Sequence, residues 1–132
     1  MIGLFWNIKG LGKIGRLPAL RDRIRSTKAD FVGIMETNKE SFTIGYLKSL
    51  TGNVSFEWFY LPAKKSVGDI LAGCNSDMFS ATLIYALDFI VSLMMQDKKI
   101  GFSWKLVVVY GSPYEEGKEA FIRELHSIMG AW

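Results

Sequence analysis

The stretch FSATLIYALDFIVSLMM, residues 79–95, decides what kind of chain this is. Read as one unit, it stands at the lower length limit for a helix that crosses a bilayer. Asp88 lies in its middle, where a charge is expensive in hydrocarbon, and Ser80, Thr82, Tyr85 and Ser92 dilute the apolar run further. Read as two strands, Phe79–Tyr85 and Leu87–Gln96, the same residues need no such penalty. Asp97-Lys98-Lys99-Ile100-Gly101 then makes a hairpin turn into a further strand, Phe102–Tyr110. Strands are the expectation, with no membrane partner.

Upstream, Val54–Leu61 and Asp69–Cys74 share this strand character, so the centre of the chain reads as antiparallel sheet. The first fifty residues differ. Ile2–Ile8 is β-branched and aromatic and ends at Lys9-Gly10, which marks a strand. Leu17, Leu20 and Ile24 recur at i, i+3 and i+7 with arginines on the other face, so Arg16–Lys28 predicts an amphipathic helix. Pro18 fits its first turn, where no N–H donor is required. Phe31–Met35 reads as a buried strand, and a helix over Ser41–Leu50 stops near Gly52. A last helix, Glu115–Met129, carries Phe121, Leu125 and Ile128 at helical spacing. Repeats, linkers and low-complexity tracts are absent from the sequence. The expected class is α+β, an α/β sandwich with a mixed, mostly antiparallel sheet and flanking helices.

At 132 residues the chain has room for one small domain. Its 49% apolar, 14% aromatic and 22% charged content excludes a disordered tail, a collagen-like repeat and an acidic solvating segment. Net charge is +3 and the isoelectric point about 9.0, an excess that permits a nucleic-acid or phosphate partner without demanding one. Cys74 is the one cysteine, so no internal disulfide can form, which fits a reducing compartment. With His126 the one histidine, a Cys/His metal cluster cannot be assembled. No basic leader precedes an apolar run at the start, so a signal peptide is not expected.

Gly10, Gly12 and Gly15 spell G-x-G-x-x-G between a strand and a helix, and Glu36 follows 21 residues after Gly15. That is the outline of a dinucleotide-binding turn, in which glycines let a pyrophosphate approach a helix N-terminus. In that motif, however, the helix starts near the second glycine, which would put Pro18 in its interior at the loss of a hydrogen bond. The hairpins downstream also depart from repeated βαβ units. A nucleotide-binding module built on this turn is the alternative reading, beside a non-catalytic structural remnant.

A second constellation lies at the strand ends. Trp6-Asn7 closes the first strand, Glu36-Thr37 the second and Tyr110-Gly111-Ser112-Pro113 the last. Neighbouring strands in one sheet would bring Asn7, Glu36 and Tyr110 to one edge. A carboxylate suits a hard cation such as Mg²⁺, which takes one or two protein carboxylates plus phosphate oxygens and water. An asparagine amide and a tyrosine hydroxyl can hydrogen-bond a phosphate there. Taken singly, each has an ordinary role as turn former, solvated strand end or packing residue.

Three blocks occur in an informative order: Phe5-Trp6-Asn7-Ile8-Lys9-Gly10-Leu11-Gly12, Met35-Glu36-Thr37-Asn38-Lys39 and Val108-Val109-Tyr110-Gly111-Ser112-Pro113. In order and spacing they resemble the endonuclease/exonuclease/phosphatase superfamily, and most closely the endonuclease domain of plant LINE-type (non-LTR) retrotransposons. Arg16-Leu17-Pro18-Ala19-Leu20-Arg21 is similar to that family's first helix, and Lys64 to Leu71 is similar to its Ser-Gly-Gly-Ile-Leu segment. The likeness spans essentially the whole chain. It implies a two-sheet α/β sandwich that nicks target DNA to prime reverse transcription, at an intracellular site that is nuclear if the parent element is functional. It also implies that Asn7 holds the active-site phosphate, Glu36 binds Mg²⁺ (or Mn²⁺) and Tyr110 contacts the scissile phosphate.

The family's next block, Gly-Asp-Phe-Asn, and its later aspartate and Ser-Asp-His blocks do not occur before Trp132. The chain therefore resembles the front half of such a domain, an incomplete half of the two-sheet fold. It is expected to bind metal weakly, to be inactive alone and to self-associate through an open sheet face. His126, on the last helix, does not replace the family's histidine. Asp69 stands where the family has a glycine, a change expected to disturb a close-packed strand or a positive-φ position. Lys9, Lys13 and Arg16 are the candidate nucleic-acid phosphate contacts; with Arg21, Arg23, Arg25 and Lys28 they also read as a solvated basic face. Trp58, Phe59 and Tyr60 read as core packing, with stacking on bases as the alternative.

Overall fold

The computed structural model describes residues 1–63, 68–110 and 115–129. Ten elements follow one another: β1 (Gly3–Asn7), α1 (Arg16–Thr27), β2 (Phe31–Met35), α2 (Ile44–Thr51), β3 (Phe56–Leu61), β4 (Ile70–Asn75), β5 (Phe79–Ala86), β6 (Ile90–Asp97), β7 (Ser103–Val109) and α3 (Glu115–Met129). The expected α+β sandwich is present, built from two sheets. The first has strand order β1-β2-β4-β3 and the second β5-β6-β7. Only the β1–β2 pair is parallel, with α1 as its crossover; the other described pairs are antiparallel.

Period-two alternation places the two cores. β4 sends Ile70, Ala72 and Cys74 into the core between the sheets and Leu71 into the core beneath α1 and α2. Helix α1 meets that second core through Leu20 and Ile24, as its apolar spacing predicts. β6, central in its sheet, has Ile90, Val91, Ser92 and Leu93 all buried, so both of its faces are covered. That explains the unbroken apolar run that mimics a membrane segment. Among the described residues, no helix is long and apolar enough to cross a membrane. Helix α3 joins the inter-sheet core through Phe121, Leu125 and Ile128, with the Phe121 ring 5.7 Å from that of Phe89.

Element ends follow local chemistry. Helix α2 starts at Ile44 rather than Ser41, because the Thr43 hydroxyl accepts the Tyr46 N–H at 3.1 Å and caps it. Leu87 and Asp88 form the β5–β6 turn instead of opening β6; the Glu124 carboxylate of α3 accepts the N–H groups of Asp88 (3.2 Å) and Phe89 (2.8 Å). The hairpin after Asp97 forms as expected, with the Asp97 carboxylate accepting the Lys99 and Ile100 N–H groups and Gly101 at φ 73°. α1 starts at Arg16, beyond all three glycines of the G-x-G-x-x-G stretch, which keeps Pro18 in the first turn.

One expectation needs correction. β7 does not lie beside β1 and β2 in one sheet; it is an edge of the second sheet and faces β2 across the sandwich. The Phe31 and Trp104 rings meet at 5.5 Å, and a Cβ built on Gly33 would lie 3.0 Å from Val108 Cγ1. Alternation along a strand reports which face is buried, not which strand is its neighbour. On the open edge of the first sheet, Ile2 and Phe5 each stay 47% exposed.

Candidate functional site

β1 and β2 end together, and the chain segments beyond them remain zipped. Main-chain N–H groups of Ile8, Gly10 and Leu11 donate to the carbonyls of Met35 (3.0 Å), Glu36 (2.7 Å) and Thr37 (2.9 Å). This pairing needs left-handed backbone at Lys9 (φ 51°) and Gly10 (φ 103°) on one side, and at Glu36 (φ 54°) and Asn38 (φ 59°) on the other. Left-handed residues other than glycine are uncommon and concentrate at functional sites.

Glu36 and Tyr110 meet across the two sheets. The Tyr110 hydroxyl donates to Glu36 Oε1 at 2.7 Å, and the Tyr110 N–H donates to the Phe89 carbonyl at 2.7 Å. Because β2 and β7 face one another, the residues just past their ends converge although the strands belong to different sheets. Gly68 makes this contact possible. A Cβ there would stand 2.8 Å from Glu36 Cγ and 2.9 Å from Tyr110 Cε2, closer than real carbon contacts allow. Asn7 is exposed at the end of β1, paired in register with Met35, and its amide makes no hydrogen bond among the described residues.

The three predicted residues are thus brought to one end of the sandwich. Lys9 and Lys13 are exposed on the adjoining loop. The Arg16 guanidinium, half-buried, donates to the Ile8 carbonyl and ties α1 to the same loop. His126 is exposed in the last turn of α3, outside the strand-end segments that carry Asn7, Glu36 and Tyr110.

Asp69, Thr37 and Gly68 pack around the strand-end residues; they lie within or beside the motif blocks, but motif reading assigns them no part in the site. Asp69 is 1% exposed and Thr37 is fully buried. The Asp69 carboxylate accepts the Thr37 hydroxyl and the Asn38 N–H (3.1 Å), and its carbonyl accepts the Glu36 N–H (2.9 Å). The expected disturbance at Asp69 does not arise, since this residue has no positive φ and the tightly packed position is Gly68. The available signal is topological: β2 and β4 are antiparallel with Met35 opposite Ile70, which sets Glu36 against Asp69.

Beside these residues, Tyr60 donates its hydroxyl proton to the Lys39 carbonyl. Burial, followed by the nearby Asp69 charge, pushes the Tyr60 phenol up to about 12. The Lys39 ammonium lies 4.6 Å from the centre of the Tyr46 ring, a cation–π contact that holds the same loop. A cavity of about 350 Å³ opens here, lined by Asn38, Lys39, Glu40, Tyr60, Pro62, Ala63 and Asp69. A larger concavity of about 610 Å³ lies along α2 and β3, and one of about 370 Å³ lies around Asp30 and Asn75. The latter is at the opposite end of β2 from Glu36, so cavity size alone does not locate this chemistry.

For a hard cation, Glu36 offers one carboxylate oxygen, Oε2, that has no hydrogen bond among the described residues. The described residues contain no group of three or more His, Cys, Asp or Glu positioned for a metal. That donor set fits Mg²⁺ only in its usual mode of one carboxylate with coordination completed by water and phosphate.

Neither a protein-family profile nor a curated relative matches the sequence. Comparison with solved structures shows that the chain shares a two-sheet α/β fold with a known protein. The crystal structure of the AP endonuclease LMAP from Leishmania major superposes with a TM-score of 0.59 at 14% sequence identity. The match covers 81% of this chain and 39% of the Leishmania chain, so the chain spans about two-fifths of that protein's length.

Proposed function

We propose that this chain is the phosphate- and cation-holding part of a Mg²⁺-dependent DNA endonuclease, of the non-LTR retrotransposon type its motifs resemble. We further propose that the 132-residue chain does not nick DNA by itself. The single observation that carries the reading is the Tyr110–Glu36 hydrogen bond, which joins the two predicted strand-end residues across separate sheets. The fold shared with an AP endonuclease supports the same assignment.

Each group has a part in this reading. Asn7 offers an unengaged amide to a phosphate oxygen, and Lys9 and Lys13 supply positive potential beside it. Tyr110 orients the Glu36 carboxylate, leaving Oε2 for a cation. A bound Mg²⁺ supplies charge stabilisation at a phosphoryl oxygen. Hydrolysis also needs an oriented water and a group to take its proton. Asp69 is committed to Thr37 and Asn38, so it is not placed for that task. General acid–base help is worth about 10²–10⁴-fold, and removing members of one constellation leaves mainly binding.

The test has two readouts. Mn²⁺ titration should give a dissociation constant no tighter than about millimolar, abolished in Glu36→Gln, as expected for one carboxylate with coordination completed by water. Supercoiled plasmid incubated with Mg²⁺ or Mn²⁺ should stay uncut above the blank. Mn²⁺ binding that is unchanged in Glu36→Gln would overturn the cation assignment, and nicking that disappears in Glu36→Ala would overturn the proposed inactivity.

A further inference from the structure

Asp69 is a buried carboxylate with no cation beside it among the described residues. Such a group is costly to bury, and it persists only where hydrogen bonds compensate. Among the described residues, the Tyr60 phenol of β3 stands close to this carboxylate, and the donors that hold Asp69 in place come from one short segment. Its Oδ2 accepts the Thr37 hydroxyl, its Oδ1 accepts the Asn38 N–H at 3.1 Å, and its main-chain carbonyl accepts the Glu36 N–H at 2.9 Å. One residue on the lead-in to β4 therefore ties down three consecutive residues that follow β2.

Those three residues are the ones that most need it. Glu36 and Asn38 are both left-handed, at φ 54° and 59°, and Thr37 between them is wholly buried. A regular strand would continue its alternation past Met35 and send residue 36 toward the α1/α2 side with Ile34. The left-handed turn at Glu36 instead brings its side chain against Gly68 and Tyr110. Thr37 reinforces the turn by accepting the Lys39 N–H at 3.3 Å while it donates to Asp69.

We infer that Asp69 is a positioning residue: through Thr37 and Asn38 it holds the left-handed turn that aims the Glu36 carboxylate at Tyr110 and leaves Glu36 Oε2 for a cation. The inference rests on the reading of Glu36 as the cation-side carboxylate. An acceptor of this kind cannot be replaced by an amide. In Asp69→Asn one oxygen can still accept the Asn38 N–H, but the amide nitrogen then faces the Thr37 hydroxyl, whose buried proton loses its acceptor. The glycine that the family pattern carries at this position would remove both contacts.

The experiment uses the 132-residue chain with Mn²⁺ alone as probe, followed by the EPR signal of free Mn²⁺. Asp69→Asn should weaken Mn²⁺ binding by about tenfold or more, the range found when groups that orient a metal ligand are lost. Thr51→Ala serves as control, because it deletes a hydrogen bond from Thr51 to the Val54 carbonyl (2.8 Å) at the far end of α2. It should bind Mn²⁺ as the parent does. Should Asp69→Asn fail to fold, Thr37→Ser, which keeps the hydroxyl, should bind normally while Thr37→Val should not. Binding undiminished in Asp69→Asn or Thr37→Val, but lost in Glu36→Gln, overturns the positioning role and leaves the Glu36 reading intact. Binding unchanged in Glu36→Gln overturns the Glu36 reading itself. The turn is then judged by NMR, where strong intraresidue Hα–HN NOEs at Glu36 and Asn38 that persist in Asp69→Asn overturn the role of Asp69 as well.

Discussion

The two sheets are held together by different means. The second is a run of antiparallel hairpins in which one described residue, Gly101, has positive φ. In the first region, Lys9, Gly10, Gly15, Lys28, Glu36, Asn38 and Gly52 all do. Lys28 and Gly52 close helices, an ordinary use of that conformation. Lys9, Glu36 and Asn38 close none, and a left-handed residue with a side chain costs about 1–2 kcal/mol. They persist because Gly10, Leu11 and Asp69 hydrogen-bond the same few residues from two sides. The first region thus spends conformational strain on shaping one end of the sandwich. The second is a regular platform that contributes a single hydroxyl, that of Tyr110.

The largest expected effect breaks this division if it is wrong. Phe79 is fully buried between the sheets and meets the Trp104 ring edge-on at 5.9 Å. Phe79→Ala should cost about 3–5 kcal/mol in urea-monitored stability. If the loop zipper belongs to the first region, hydrogen exchange in this variant should accelerate in β5–β7 while the Gly10 and Leu11 amides keep their protection. Equal acceleration everywhere would show that the two sheets form a single cooperative unit and that the contrast drawn between them has no energetic content.

The sequence carries much of this molecule openly. Phe31–Met35 and Glu115–Met129 have the bounds their patterns predict, because a β-branched run and a 3.6-residue repeat both end abruptly. The convergence of Asn7, Glu36 and Tyr110 is legible from strand ends. The sheet to which β7 belongs is not, since a period of two is the same whether a strand lies beside β2 or faces it. Asp69 is the larger gap. Beside a glycine at the head of an apolar run it reads as a disturbance. Its partners Thr37 and Asn38 lie about thirty residues away in sequence and become neighbours only once β4 pairs with β2.

A smaller and more local effect sharpens the same contrast. Gly68 sits where both regions touch, with space for a hydrogen and not for a methyl group. Gly68→Ala should force Glu36 and Tyr110 apart and cost about 1–3 kcal/mol, the usual range for overpacking. Gly12→Ala, where a Cβ meets nothing within 4 Å, should change stability by less than about 0.5 kcal/mol. Comparable urea midpoints for the two variants would mean that the Glu36–Tyr110 contact has slack that the packing does not reveal.

The smallest effect is a pH dependence, and it separates the two faces of the first sheet. Tyr60 packs on the α1/α2 side, and its phenol is raised from 10.0 to about 12, by burial first and then by the Asp69 charge. Cys74 packs between the sheets, and its thiol is raised from 9.0 to about 11, by burial first and then by Glu57. Both groups are neutral when protonated, and both hold their proton longer in the folded state than in the unfolded one. Their contributions to stability are therefore complete below the unfolded values and are lost as pH rises toward the folded ones. The loss runs from 9 to about 11 for Cys74 and from 10 to about 12 for Tyr60. Tyr46, also raised by burial, adds to the decline with the same sign. Because Tyr60 is partly exposed, solvent screening keeps its share small. Urea midpoints taken across the alkaline range should fall with pH in the parent. The upper part of that slope should flatten in Tyr60→Phe, and the lower part in Cys74→Ala. A slope that Tyr60→Phe leaves untouched would show that the Tyr60 hydroxyl is solvated rather than held on the Lys39 carbonyl, and that the loop behind the site is looser than its hydrogen bonds imply.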